Sequence, residues 1–380
     1  MNLLTGLGNF GADAGGYIIP FLFVLTVVVF FHELGHFLVA RWCGVKVDVF
    51  SIGFGREIFG RTDKYGTRWK LSWIPLGGYV KFAGDNNAAS MPDKAALAQV
   101  PLDQRAGLFF FKPLHQRAAV VAAGPVANFI LAIVIFAAIY GIVGKGTVLP
   151  IAGSVVAGSA AEAAGFKADD QIVSINGSAI GDFNQVVQVV TMSPGVPLDF
   201  VVRRNDATIH LVVTPKLVEI TDILGNKVKV GQIGLGNKAG EAGYRFERLN
   251  PFESIAAGTG KTWFVVTSTL QGIGGMLTGR QDSSQLGGVI TIADLSGKVA
   301  KTGFLELMGL VATLSVSIGL LNLFPVPMLD GGHLLYYAIE GVKGSPLGEK
   351  AQEFGFRVGL VLVMMLMVFA TWNDLVRVFT

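Results

Sequence analysis

The chain has 380 residues, of which 51% are hydrophobic and only 15% charged, with a net charge of +3. A soluble domain carries about 25% charged residues, so the composition describes an integral membrane protein with room for a soluble part. The charge is too small to argue for a nucleic-acid partner, and the single cysteine, Cys43, excludes an internal disulfide.

Residues 1–16 form a Gly-rich, nearly uncharged leader without the basic start of a cleaved signal peptide. The first predicted span runs from Tyr17 to Trp42. It contains His32-Glu33-Leu34-Gly35-His36, an H-E-x-x-H pattern. Positions i and i+4 share a helix face, so both histidines can point at one metal ion. Glu33 lies beside them, placed to take a proton from a water at that ion. Ionisable groups inside an apolar span are costly in lipid and mark a functional site. The plainer reading is a pair of core histidines bonded to a neighbouring carboxylate.

Eight basic residues, Arg41, Lys46, Arg56, Arg61, Lys64, Arg68, Lys70 and Lys81, follow this span, against Asp48, Glu57 and Asp63. The positive-inside rule then places the N-terminus outside and the loop in the cytoplasm. At 1.5 Å per residue His32 lies roughly 22 Å from the outer end, near the cytoplasmic side of the membrane. Residues 47–82 alternate and turn, predicting short strands in a membrane-associated β-hairpin region whose edge suits strand addition. An ordinary cytosolic hairpin fits the same pattern. Gly84–Arg105 reads as a polar loop.

The second span, Ala118 to Val143, carries Gly124 for close helix approach and Asn128, a polar group in lipid that needs a partner. Residues 146–216 read as a small α/β unit. Its elements are a helix over Asn184–Met192, strands over Leu198–Arg204 and Ala207–Thr214, and an Asn176-Gly177 turn. Residues 217–303 predict further strands and an interfacial helix near Thr262–Gly279. The third span, Leu305 to Val326, runs into Asn322-Leu323-Phe324-Pro325-Val326-Pro327-Met328-Leu329-Asp330-Gly331-Gly332-His333. Prolines end the helix and glycines let the backbone turn, which can swing a carboxylate toward a metal held elsewhere. Catalytic zinc takes three protein ligands and an open position. His32, His36 and Asp330 fill that set, with His333 the rival third ligand. His115 and His210 read as bystanders. The fourth span runs from Phe356 to Trp372, with Arg357, Asp374 and Arg377 reaching outward at its ends.

HELGH in a first span, AGPVAN in a second, an α/β insert and NLFPVPMLDGG ending a third together resemble the site-2 protease family of intramembrane zinc proteases. FSIGFG, RTDKYGT and IPLGGYVKF point to its bacterial RseP-type branch. The resemblance implies four transmembrane helices, with the first two spans in residues 1–145 and the last two in 304–380. It also implies a PDZ-like periplasmic domain at 146–216 and periplasmic N- and C-termini in a bacterial inner membrane. It implies Zn2+ held by His32, His36 and Asp330, with Glu33 as base. Asn322 and Asn128 are expected to support the substrate or oxyanion. The implied partners are the lipid bilayer and single-span membrane substrates, such as anti-sigma-factor-like proteins or remnant signal peptides, and a peptide ligand for the PDZ-like unit. A catalytically silent PDZ-bearing scaffold is the alternative, against which an intact Glu33 argues.

Overall fold

The computed structural model describes residues 3–84, 105–221, 227–238, 243–279 and 286–379. The loop expected at 84–105 lies almost entirely outside them. Among the described residues, four helices are long and apolar enough to cross a membrane. The chain divides into two compact units, one of residues 1–136, 258–266 and 288–374, the other of residues 137–257, 267–287 and 375–380.

The first unit begins with α1 (Leu3–Trp42), whose spanning part is Gly15–Trp42. It stops in a Schellman turn. Gly44 takes φ +67°, the Val45 N–H donates to the Ala40 carbonyl and the Gly44 N–H to that of Arg41. The chain then enters β1 (Val47–Thr62) and β2 (Arg68–Phe82), both long and bent. Residues 47–52 pair antiparallel with 78–82, and 57–62 with 68–72. Residues 49–52 also lie beside 68–71, both numbers rising together, so four short segments form one sheet. Among the described residues, segment 78–82 has a strand partner on one side only. The sheet packs on α1 through Phe37, Ala40, Phe50, Val80 and Phe82, all buried, with Trp69 stacked on Phe50 at 4.4 Å.

Pro113 precedes α2 (Leu114–Ile142), which carries Pro125 within its apolar run. Helix α6 (Val289–Thr302) lies against α1 and against α7 (Phe304–Asn322). Helix α7 ends four residues short of the predicted 326 because Pro325 and Pro327 cannot continue it. After it come α8 (Asp330–Lys343) and α9 (Glu349–Phe379). The last span, at Lys350–Arg377, is longer than predicted. Asp374 does not reach outward. It is 1% exposed and accepts from the backbone N–H of Gly288 and Ile290, both at 2.9 Å, capping α6. Opposite charges pair where α2 meets α8, with Arg117 donating to Glu340 at 2.5 Å.

In the second unit, β3 (Lys145–Val148), β4 (Ala152–Val155) and α3 (Ala160–Ala163) come first. Next are β5 (Gln171–Ile175), β6 (Ser178–Ala179), α4 (Phe183–Thr191), β7 (Leu198–Arg204) and β8 (Ala207–Val213). The unit continues through β9 (Lys216–Thr221), β10 (Lys227–Gln232), β11 (Leu235–Asn237) and β12 (Tyr244–Glu247). Strands β6-β5-β7-β8 form an antiparallel sheet around buried Ile172, Ile175, Leu198, Phe200 and Val202. The Asn176-Gly177 turn has φ +50° and +77°, as a two-residue hairpin requires. Asp182 and Gln185 cap α4 reciprocally. Strands from beyond residue 216 pair back, β11 with β4 and β12 with β3. The segment expected as an interfacial helix near 262–279 belongs to a longer one, α5 (Pro251–Leu277), which is not among the four spans.

Candidate metal centre

The helical register of α1 carries His32 and His36 on one face, with ring centroids 4.8 Å apart. Their Nε2 atoms lie 3.2 Å from each other. Asp330 reaches the same point from the start of α8, with Oδ2 at 3.2 Å from His32 Nε2 and 3.6 Å from His36 Nε2. Among the described residues, these three form the group of His, Cys, Asp or Glu side chains arranged to hold a metal ion. His333 is not part of it. His115 sits in the first turn of α2, and exposed His210 pairs with Asp199 at 3.5 Å in the second unit.

The turn between α7 and α8 delivers Asp330. The helix closes with the Phe324 N–H on the Leu321 carbonyl, and Met328 takes φ +89° before the Leu329 N–H returns to Val326. Gly331 and Gly332 are buried against the carbonyls of Leu323, Phe324 and Val326, where a Cβ would collide. Only glycines permit that packing, and it sets the direction of the neighbouring carboxylate.

Helix α2 presses on the histidines from the other side. The His36 Nδ1–H donates to the Val120 carbonyl at 2.9 Å, which leaves Nε2 with a free lone pair. Asn128, fully buried, has its amide 3.3 Å from His32 Nδ1. Gly124 lies between, and a Cβ there would run into His36 Nε2 and come within 2.9 Å of His32 Cε1. On α1, Gly35 faces Ala123 and Ala127 at similarly close range. Small residues on both helices therefore bring the backbones together at the site.

Glu33 faces a cavity of about 300 Å³, lined also by Val29, His32, Gly77, Gly78, Asn322 and Asp330. The sheet edge adjoins it directly. A Cβ on Gly78 would stand 3.3 Å from Glu33 Cγ. Asn322, the last residue of α7, lines the cavity, whereas Asn128 meets the ring nitrogen of His32 that does not face Asp330. The structure thus separates two asparagines that the sequence grouped together.

The residues fit a zinc ion. Tetrahedral ligands at roughly 2.0–2.1 Å from zinc stand about 3.3 Å apart, which the three donor separations bracket. The Asp330 Oδ2 atom is buried and has no hydrogen-bond partner, despite two histidine nitrogens nearby. One ligand atom from each of the three residues lies within 4.8 Å of the other two, close enough to share one ion.

Sequence reasoning missed the Val120 carbonyl, since a backbone group leaves no trace in residue type. It also missed a cluster joining α1 to the sheet. Arg41 donates to Asp63 at 3.1 Å and lies 3.8 Å from the Tyr65 ring centroid, while the Trp69 indole donates to Asp63 at 3.3 Å. The signal available was RTDKYGT, which carried the resemblance and a charged turn but no hint of its contact with Arg41.

The profile of peptidase family M50 matches residues 20–366. A protein of Agrobacterium fabrum named as a candidate zinc metalloprotease is 49% identical over 95% of this chain and 96% of its own. A similarly named protein of Rhizobium meliloti is 47% identical over 94% and 96%. The metalloprotease MmpA of Caulobacter vibrioides is 42% identical over 95% of each chain.

Proposed function

We propose that this chain, which belongs to peptidase family M50 and is a zinc metalloprotease, cuts a peptide bond within the transmembrane segment of single-span membrane proteins during regulated proteolysis. The observation that carries this reading is the place of the centre. Its two histidines and Glu33 sit on a helix of membrane-spanning length and apolarity, beside a cavity lined by Gly77 and Gly78 of the sheet. The expected substrates are anti-sigma-factor-like proteins and remnant signal peptides.

His32, His36 and Asp330 would hold the zinc. When bound, zinc supplies a Lewis acid that polarises a carbonyl and acidifies water. Glu33 is positioned to take the proton from water as it attacks, and to hand it to the leaving amine. Asn322 opens into the same cavity, where its amide N–H can donate to the developing oxyanion. A helical substrate keeps its carbonyls in its own hydrogen bonds and must unwind before attack. Segment 78–82 is flanked by 47–52 on one side, and on the other the edge of residues 78–81 offers backbone groups to an extended substrate.

In this reading the α/β unit of residues 146–216, with its paired strands beyond, is a PDZ-like domain on the periplasmic side of a bacterial inner membrane. It takes a peptide or excludes bulky substrates. Both termini lie on that side, and the centre lies toward the cytoplasm, following the basic residues after α1.

The test is cleavage of a single-span reporter by purified protein in detergent, with the cut mapped by mass spectrometry. A cut inside the apolar segment is expected. Cuts confined to the polar flanks would overturn the intramembrane assignment and leave a surface protease.

A further inference from the structure

Asn128 has no role assigned by the chemistry above. It is fully buried in the middle of an apolar helix, where a side-chain amide is expected to have partners. Its surroundings hold it tightly. Its own carbonyl accepts from the Ser315 hydroxyl of α7 at 2.9 Å, and a Cβ on Gly319 would stand 3.0 Å from its Cβ. The side chain ends 3.3 Å from His32 Nδ1, and its Oδ1 atom is buried without a partner.

A neutral imidazole carries one proton, on Nδ1 or on Nε2. His32 can offer a lone pair from Nε2 to a metal only if the proton is on Nδ1, and that N–H then needs an acceptor. The two ends of an asparagine amide have the same shape, and a half turn exchanges them. Turned so, Oδ1 faces Nδ1–H and gains the partner it otherwise lacks. His36 is held in the same state by the Val120 carbonyl, which can only accept.

We propose that Asn128 is a positioning residue for the zinc site, its amide oxygen accepting the Nδ1 proton of His32 and so fixing the metal-binding tautomer and ring direction. One helix, α2, then orients both histidines of α1, one through a backbone carbonyl and one through an amide. This differs from direct support of substrate or oxyanion. It rests on the ligand set His32, His36 and Asp330.

The experiment is zinc competition against a chromophoric chelator, using the purified full chain in detergent, with cleavage of the reporter in parallel. Wild type should hold one zinc and His36→Ala should lose it. If wild type does not, the ligand set itself fails. Asn128→Leu should bind zinc about 10- to 100-fold more weakly, with the KM for the reporter unchanged at saturating zinc. Asn128→Asp keeps an acceptor of the same shape and should stay within about threefold of wild type. Asn128→Ala serves if the leucine variant does not fold, as judged by thermal melting. Wild-type zinc affinity in the leucine or alanine variant would overturn the proposal. So would equal weakening in a folded aspartate variant. A raised KM with unchanged zinc binding would place Asn128 on the substrate instead.

Discussion

Gly124→Ala adds one methyl group at the point where α2 meets the metal ligands. The added carbon would run into His36 Nε2 and stand 2.9 Å from His32 Cε1. Carbon atoms settle at roughly 3.5–4.0 Å, so α2 must retreat or the rings must turn by about 1 Å. Retreat is opposed on the same interface, because Gly35 packs on Ala123 and Ala127, and Val120 holds His36. A misplacement of about 1 Å can cost roughly 10²-fold in rate. The expected result is therefore a fall of about two orders of magnitude in kcat/KM for a single-span reporter, with weaker zinc retention. Gly309→Ala, on α7 with nothing near its added carbon, is the control and should change little. Activity of Gly124→Ala within threefold of wild type would refute the claim that this contact sets the geometry of the site.

Two further predictions concern charge. In the α/β unit, Asp170 is fully buried and accepts from Arg204 at 2.6 and 2.7 Å and from the Lys167 N–H at 2.8 Å. Asp170→Asn leaves the guanidinium without its counter-charge and should destabilise that unit by about 2–4 kcal/mol, read as a lower melting temperature and faster proteolysis between β4 and β8. At the sheet turn, burial raises the Asp63 carboxyl, but the backbone N–H groups of Tyr65 and Thr67, with Arg41 and Trp69, hold it below its ordinary value. A lowered carboxylate contributes stability above its unfolded value of about 3.9 and loses it as pH falls through the folded one. Cleavage by an acid protease in 61–69 should therefore rise at acid pH in wild type, and Asp63→Asn should show an altered, flatter pH dependence.

The sequence reveals most where residue type and spacing carry the physics. H-E-x-x-H on an apolar run announces a paired ligand site, because helical periodicity alone places His32 beside His36. The prolines and glycines around Asp330 imply a sharp turn but not its direction, and the choice of Asp330 over His333 as third ligand comes largely from the family resemblance. The strands of 47–82 are legible by alternation. Their fourfold arrangement is not, because residues 49–52 touch both 78–82 and 68–71, and register among bent strands depends on tertiary packing. Asp374 reads as an exposed helix-end charge, yet caps a helix 83–86 residues away in sequence. Such partners are set by how helices pack, which no local pattern encodes. The separate positions of Asn128 and Asn322 escaped for the same reason: both are asparagines in apolar helices, and only the fold shows which one meets a histidine.

The most direct test compares wild type with Glu33→Gln on a single-span reporter, measuring zinc content in both. Zinc should be equal in the two proteins, wild type should cut inside the apolar segment, and cleavage should fall by at least about 10²-fold in the variant. Equal cleavage by both proteins would contradict this, because the proton transfers assigned to Glu33 would then belong to another group.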